Sequence, residues 1–311
     1  MVDVKYGVFP NVRLGWEATK LTVQESERLG YDSVLLADHL MGKRPILECW
    51  TTLSALSSLT TRIRLGTMVL CNSYRNPALL AKMAATLDNT SAGRVELGLG
   101  AGWKQEEYVG YGYEFPTPAT RVRQLEEALI VMEKLWTESP ASFEGKYFKI
   151  IQAFCEPKPI QKPRIPVTVG GTGEKLMLKL VAKHADRSNW WVCPKEIFTR
   201  RIRILDEYCS RLRKRPRIEK SATSLVNIAD SQEQLSRNLK EFYRAEEPDK
   251  PYEEWLKQIS NRMISGTPEQ CLEQLHRLTD MGATYFMVRP IDLPRTEGLR
   301  LFAEKIVGRQ I

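Results

Sequence analysis

The sequence predicts a single α/β domain, a TIM-like (β/α)8 barrel with insertions, and three observations lead there. Short apolar runs that read as buried strands alternate with helix-length segments, and they do so eight times. Alternation of this kind calls for a parallel sheet with right-handed crossovers, and eight units point to closure. The 311 residues suit one such barrel with extra segments, and no repeat, low-complexity stretch or linker divides them. An open doubly wound sheet is the alternative.

Residues 4–9 read as the first strand, and 16–29 as a helix stopped by Gly30. Residues 33–37, SVLLA, are an unbroken apolar run bounded by charge, which suits a strand buried on both faces. Asp38 and His39 follow at its C-terminal end. Residues 48–59 carry apolar side chains at helical spacing. The third strand runs over 63–70 with Gly66 and Thr67 inside it, and Pro77 fits the first turn of the next helix. Residues 95–99 form the fourth strand. Gly98, Gly100 and Gly102 fall at alternate positions there, before a charged, helix-forming run that contains Glu106 and Glu107. Adjacent helical residues point about 100° apart, so at most one of these acids faces a common site.

The helix over 119–136 presents Val122, Leu125, Leu129, Met132 and Trp136 as one apolar stripe, a core face. Residues 139–165 differ in texture: 143–148 resembles a small hairpin, and Pro157, Pro159, Pro163 and Pro166 stiffen the return, so the segment reads as an insertion. The fifth strand is 166–169, followed by the glycine loop 170–173 and a helix to about residue 184. The sixth strand is 188–192, with a long basic helix from residue 195. The seventh is 222–229, with Ser231 as the next N-cap. Residues 246–266 read as a polar helical extension and a second insertion. Thr267 is a natural N-cap with Pro268 as first helical residue. Gly282 ends that helix, 283–288 is the eighth strand, and 296–307 is the closing helix.

Composition excludes several classes. The formal charge is +8, much of it at Arg200, Arg201, Arg203 and along 211–217. Asp206, Glu207 and Glu219 interrupt that run and no aromatic residues alternate with it. It reads as a solvated helix face rather than a nucleic-acid surface. No apolar run approaches the roughly 20 residues that span a bilayer. The first nine residues lack a basic segment followed by an apolar stretch, so a cytoplasmic protein with no membrane partner is expected. The six cysteines are never spaced CxxC and the three histidines form no HxxxH pair. Reduced thiols and no metal site are expected. No Ser-His-Asp or Cys-His grouping suggests a nucleophile.

Active-site groups of a barrel come from the C-terminal ends of its strands. That rule gathers Asp38, His39, Cys71, Asn72, residues 100–103 and residues 170–173 around one mouth. His39 could relay a proton near neutral pH there; the structural alternative is a helix-capping Asp beside a His that satisfies a backbone group. Gly100 and Gly102 let the backbone turn and admit a flat or anionic ligand, or else relieve crowding. They are not the dinucleotide fingerprint, because position 103 is Trp103. Free N–H groups in Gly170, Gly171 and Thr172 and the helix end behind them favour a phosphate; the alternative is a tight turn.

In order along the chain, the segments LGYDSVLLADH (29–39), TRIRLGT (61–67), RNPALLAK (75–82), GRVELGLGAGW (93–103), RVRQLEEA (121–128), IPVTVGGTG (165–173) and GTPE (266–269) resemble the bacterial luciferase-like superfamily. Within it the chain is similar to the coenzyme F420-dependent oxidoreductases that include methylenetetrahydromethanopterin reductase. The resemblance implies a dimeric TIM-like barrel with a deazaflavin in its mouth. It implies that His39 exchanges a proton beside the reactive ring, and that Asp38 orients His39 or contacts the ring. A bulge with a cis non-proline bond at Met68-Val69 would back the ring. Gly170, Gly171 and Thr172 would hold the cofactor phosphate, and Glu106 would make a polar cofactor contact. Trp16, Trp50 and Trp103 would wall the pocket. One departure is Trp103 itself, which stands where some deazaflavin dehydrogenases carry a catalytic Glu. The function expected is hydride transfer between F420 and a small organic substrate. The alternatives are an FMN-dependent monooxygenase fed by a partner flavin reductase, and a non-catalytic flavin-binding or sensor barrel.

Overall fold

The computed structural model describes residues 3–42, 44–212 and 218–308. The basic residues at 213–217 lie outside them. In chain order the strands are β1 (Lys5–Val8), β2 (Ser33–Leu36), β3 (Arg64–Thr67), β4 (Leu70–Cys71), β5 (Val95–Gly100), β6 (Ala141–Glu144), β7 (Lys149–Ala153), β8 (Val167–Gly170), β9 (Arg187–Trp191), β10 (Glu219–Ile228), β11 (Met263–Gly266) and β12 (Ala283–Pro290). Strands β1, β2, β3, β5, β8, β9, β10 and β12 each pair in parallel with the next, and β12 closes onto β1. All eight barrel strands coincide with the runs read from the sequence. The expected hairpin is the antiparallel pair β6–β7, outside the barrel.

Helices cover the barrel, and the main core lies between the two layers. The helix Pro118–Thr137 buries Leu125, Leu129, Met132 and Trp136 against it, and Trp136 Nε1 donates to the Ala81 carbonyl at 2.9 Å. Ser231 and Thr267 are N-caps as expected, the latter in a reciprocal capping box with Gln270. The basic face of the helix Lys195–Arg211 is solvated: Arg203 and Arg211 are exposed beside Glu207, and Arg200 pairs with Glu174. No helix among the described residues is long and apolar enough to cross a membrane.

Three details depart from the sequence reading. The segment 246–266 is not helical throughout. The helix Tyr252–Ser260 is followed by β11, which extends the sheet beside the far end of β10, from Leu225↔Met263 to Ile228↔Gly266. Within MISG only Ile264 and Gly266 are buried, too short a pattern to read as a strand. The helix after the glycine loop begins only at Met177, leaving an irregular loop rather than a helix end beside residues 170–173. The third strand, read as continuous over 63–70, is split into β3 and β4, the latter pairing with β5; the cis peptide between them at Met68-Val69 is the one the resemblance implied.

That bulge explains the glycines. A Cβ on Gly98 would lie 1.9 Å from the Thr67 carbonyl oxygen, one on Gly100 2.8 Å from Val69 Cγ2, and one on Gly170 3.0 Å from both Val69 methyls. Thr67 Oγ1 is locked to the Gly98 backbone, donating to its carbonyl at 2.8 Å and accepting from its amide at 3.0 Å. The crowding reading of the glycine strand therefore holds at 98 and 100.

The N-terminal half of the barrel interior is filled by charge rather than by aliphatic layers. Arg187 donates to Glu96 at 3.0 Å and Glu219 at 2.7 Å, and its guanidinium lies 4.1 Å over the Tyr285 ring. Arg64 meets the other Glu96 oxygen at 2.6 Å. Burial pushes the Glu96 carboxyl up, but Arg187 and Arg64 outweigh it and hold the group below the ordinary Glu value. This plug confines the open space to the C-terminal end.

Candidate active site

A cavity of about 540 Å³ opens at the C-terminal ends of the barrel strands. It gathers most of the positions that the barrel rule selected: Asp38 and His39 after β2, Cys71 in β4, residues 100–103 at the end of β5, and Gly170, Gly171 and Thr172 at the end of β8, together with Met68 and Val69; Asn72 borders a different hollow, and Gly173 is not in the lining. Of the aromatic residues expected as walls, Trp103 lines it. Trp50 packs instead in the core and Trp16 against it, and Trp190 and Trp191 from β9 take their place.

His39 is half-buried and its ring is fixed from one side. Its Nδ1 lies 2.9 Å from Glu107 Oε1, and Trp103 stands edge-on to it with centroids 6.1 Å apart. Glu107, not Asp38, is the acid that positions this histidine. Its carboxylate also accepts from Tyr74 OH at 3.0 Å and Lys104 Nζ at 3.1 Å. Burial raises the Glu107 carboxyl, but the His39 charge and the hydrogen bonds from Lys104, Tyr74 and His39 outweigh it, so the group sits below its ordinary value. An ionised Glu107 accepts Nδ1–H. This leaves Nε2 without a protein partner among the described residues, available for proton exchange with a bound molecule.

Asp38 lines the cavity but is turned to other partners. It receives both Nη groups of Arg75 at 2.8 and 2.9 Å and the Cys71 amide at 2.9 Å. Arg75 also donates to Glu48, which caps the helix Cys49–Ser57. The Asp38 carboxylate thus ties the end of β2 to β4 and does not reach His39. A bidentate, enclosed pair of this kind is a strong positional constraint.

Glu106 is exposed and outside the cavity lining; Glu107 next to it is 1% exposed. In the short helix Gln105–Gly110 the buried face consists of Glu107 and Tyr108, while Val109 is 67% exposed. Hydrophobicity would have placed Val109 inward, so the pattern concealed Glu107. Gly102 carries φ 77°, and a Cβ there would lie 2.0 Å from Tyr108 OH, so this glycine is needed for the turn that brings the helix in.

The loop after β8 is anchored from behind. Trp190 Nε1 donates to the Gly171 carbonyl at 2.9 Å, and the Gly171 amide reaches Asn189 at 3.4 Å. Gly171 has φ 150°, a conformation that favours glycine. Among the described residues no acceptor meets the amides of Thr172 and Gly173. Two free, neighbouring N–H groups at the rim suit a phosphate oxygen. No group of His, Cys, Asp and Glu that could hold a metal ion occurs among the described residues.

An uncharacterized protein of Mycobacterium tuberculosis is 40% identical over 151 residues, 49% of this chain and 51% of its own length. The F420-dependent glucose-6-phosphate dehydrogenase of Segniliparus rotundus is 34% identical over 170 residues, 52% of this chain and 48% of its own. The match thus spans about half the length of these curated relatives. Among solved structures, an F420-dependent secondary alcohol dehydrogenase superposes with a TM-score of 0.85 at 22% identity, covering 99% of this chain and 100% of that one. The monooxygenase RslO1 from Streptomyces bottropensis gives 0.83 at 19% identity, covering 97% and 98%. These structural likenesses bear on the fold. A family profile described as luciferase-like monooxygenase matches residues 12–285, so the chain belongs to the luciferase-like monooxygenase family.

Proposed function

We propose that this protein is a coenzyme F420-dependent oxidoreductase that moves a hydride between the deazaflavin and a small organic substrate. The observation that carries the reading is the His39–Glu107 couple, which presents a free imidazole nitrogen to a cavity whose opposite rim offers unpaired loop amides. Relatives named as F420-dependent enzymes support it. When bound, the deazaflavin supplies hydride chemistry; the protein supplies position and proton handling.

The residues fit such a group. Thr172 and Gly173 would hold the phosphate through their amides, with Gly170 and Gly171 shaping the loop. Met68, Val69 and Gly100 form an apolar floor on which a flat ring can rest. His39 Nε2 gives or takes the proton that accompanies hydride transfer. Glu107 holds the ring tautomer and balances the imidazolium. Asp38 keeps the β2 end in place through Arg75. Trp103, 72% exposed at the rim, shields His39 from water once the mouth is filled.

The second reading is an FMN-dependent monooxygenase supplied by a reductase, and the description of the family favours it. Titration with F420 and with FMN, followed by fluorescence, separates the two. Tight binding of F420 with weak binding of FMN supports the first reading; the reverse supports the second. His39→Ala should then abolish turnover while F420 stays bound. A variant that keeps full turnover removes His39 from the mechanism.

A further inference from the structure

Behind the part of the mouth that carries Tyr74 lies a separate hollow of about 280 Å³. Tyr74 borders both spaces and is the only residue common to their linings. Its hydroxyl donates to Glu107 Oε2 at 3.0 Å. Its carbonyl accepts from Tyr113 OH at 3.1 Å, and the two rings lie 5.1 Å apart, with Tyr113 also bordering the hollow. A line of contacts therefore runs from the hollow through Tyr74 to Glu107 and on to His39.

The hollow carries unsatisfied polar groups. Asn72, directly after β4, is 5% exposed and lines it, and its side-chain amide has no hydrogen-bond partner among the described residues. Burying an amide unpaired costs free energy, so this group marks a place for a polar occupant. Gln124, on the helix Pro118–Thr137, is half-buried, lines the same space and is likewise unpartnered among the described residues. Phe148 adds a ring from the β6–β7 hairpin. The hairpin is pinned to that same helix, because Glu127 accepts from the amides of Lys146, Tyr147 and Phe148 at 2.9, 2.8 and 3.1 Å.

Charge narrows the ligand class. Among the described residues that line the hollow, the one cation is Arg75, which is already held by Asp38 and Glu48. Glu114 is exposed, borders the space and has no ion-pair partner among the described residues. An anion thus meets a free carboxylate and no free cation. The two side-chain amides each offer a donor beside an acceptor. That pattern complements the edge of a nucleobase, and the rings offer it a stacking surface. A free carboxylate accepts from sugar hydroxyls but repels a phosphate.

We propose that this hollow is a second ligand site, for a neutral nucleobase or nucleoside, whose occupant acts on His39 through Tyr74 and Glu107. The action on His39 rests on the reading of His39 and Glu107 as the catalytic couple; the binding does not. An occupant packed against Tyr74 and Tyr113 restrains the hydroxyl that fixes one Glu107 oxygen, and with it the imidazole.

The probe is adenosine, titrated calorimetrically into the protein alone and into protein saturated with F420. One saturable site should appear in both. Asn72→Leu should weaken it at least about fivefold, as expected for loss of a paired hydrogen-bonding edge. Gln124→Leu should weaken it as well, and thermal melting checks that both variants fold. F420 affinity should stay within about twofold in each, as for sites that do not share the altered group. AMP should bind more weakly than adenosine. Adenosine should shift the nitrogen-15 signals of the His39 imidazole in the wild type and leave them in place in Tyr74→Phe, which keeps the ring and removes the link.

Absence of a saturable adenosine site, or unchanged affinity in both Asn72→Leu and Gln124→Leu, overturns the proposal. Adenosine that F420 displaces and that neither variant affects belongs to the main cavity, which overturns it too. AMP binding as tight as adenosine overturns the choice of a neutral ligand, and unmoved His39 signals at saturation overturn the action on His39. If F420 does not bind at all, the cofactor reading fails, and adenosine titration of the protein alone still decides this site through the same variants.

Discussion

Glu107→Gln tests the site at its most specific point. The carboxylate accepts three hydrogen bonds, from His39, Tyr74 and Lys104, and is 1% exposed. Glutamine keeps the shape but not the charge. With its oxygen in the Oε1 place it still accepts from Lys104, and its NH2 can donate to the Tyr74 hydroxyl, which turns from donor to acceptor, so the fold should lose only about 1 kcal/mol, or a melting shift of about 2–4 °C. Catalysis should suffer more. A hydrogen bond to a charged group contributes about 1.5–3 kcal/mol, which at 1.36 kcal/mol per tenfold is about 10- to 100-fold in rate. The loss should appear in kcat, with F420 affinity within about twofold, because the carboxylate acts through His39. Nitrogen-15 NMR of the imidazole gives a readout independent of any substrate. In the wild type the proton should sit on Nδ1, toward Glu107, and the variant should show a mixture of tautomers, since an amide can donate or accept. An unchanged tautomer together with turnover within twofold of wild type would refute the assignment of Glu107 as the positioning residue.

Three further outcomes follow from the packing and the charges. Gly98→Ala places a methyl 1.9 Å from the Thr67 carbonyl, a backbone atom that cannot swing aside. Destabilisation should reach or exceed about 3 kcal/mol, seen as insoluble expression or a steep drop in urea midpoint; a melt within 1 °C of wild type contradicts the packing account. Arg187→Met leaves Glu96 with Arg64 and the Tyr285 hydroxyl and should cost about 3 kcal/mol, with Arg187→Met/Glu96→Gln recovering part of it in chemical denaturation. Glu96, Glu107 and Glu246 all have carboxyls held below the ordinary value, in each case because neighbouring positive groups outweigh burial. A depressed acid contributes stability that is fully present above its unfolded pKa of roughly 4.3 and is lost as pH falls through the lower folded value. These three carboxyls should therefore add no pH dependence from neutral pH to about 5 and a fall in stability below that. Urea melts at stepped pH check this, and a Glu246→Gln variant should show a shallower fall.

How much of this was legible from residues alone follows from what each signal encodes. The eight strands were visible because a parallel barrel strand is buried on both faces. SVLLA at 33–37 and VELGL at 95–99 therefore stand out as apolar runs whatever their neighbours do. Strand order around the barrel then follows from chain order, and with it the gathering of Asp38, His39 and the two glycine segments at one mouth. Side-chain direction inside that mouth was not legible. Asp38 and His39 are adjacent in sequence, yet one turns to Arg75 and the other to Glu107, partners 37 and 68 residues away. Choosing between Glu106 and Glu107 needed the rotation of a six-residue helix whose apolar residue Val109 faces solvent. The partners that orient these side chains thus come from non-local pairing. Such pairing leaves no periodic trace in the sequence, whereas the scaffold that presents it does.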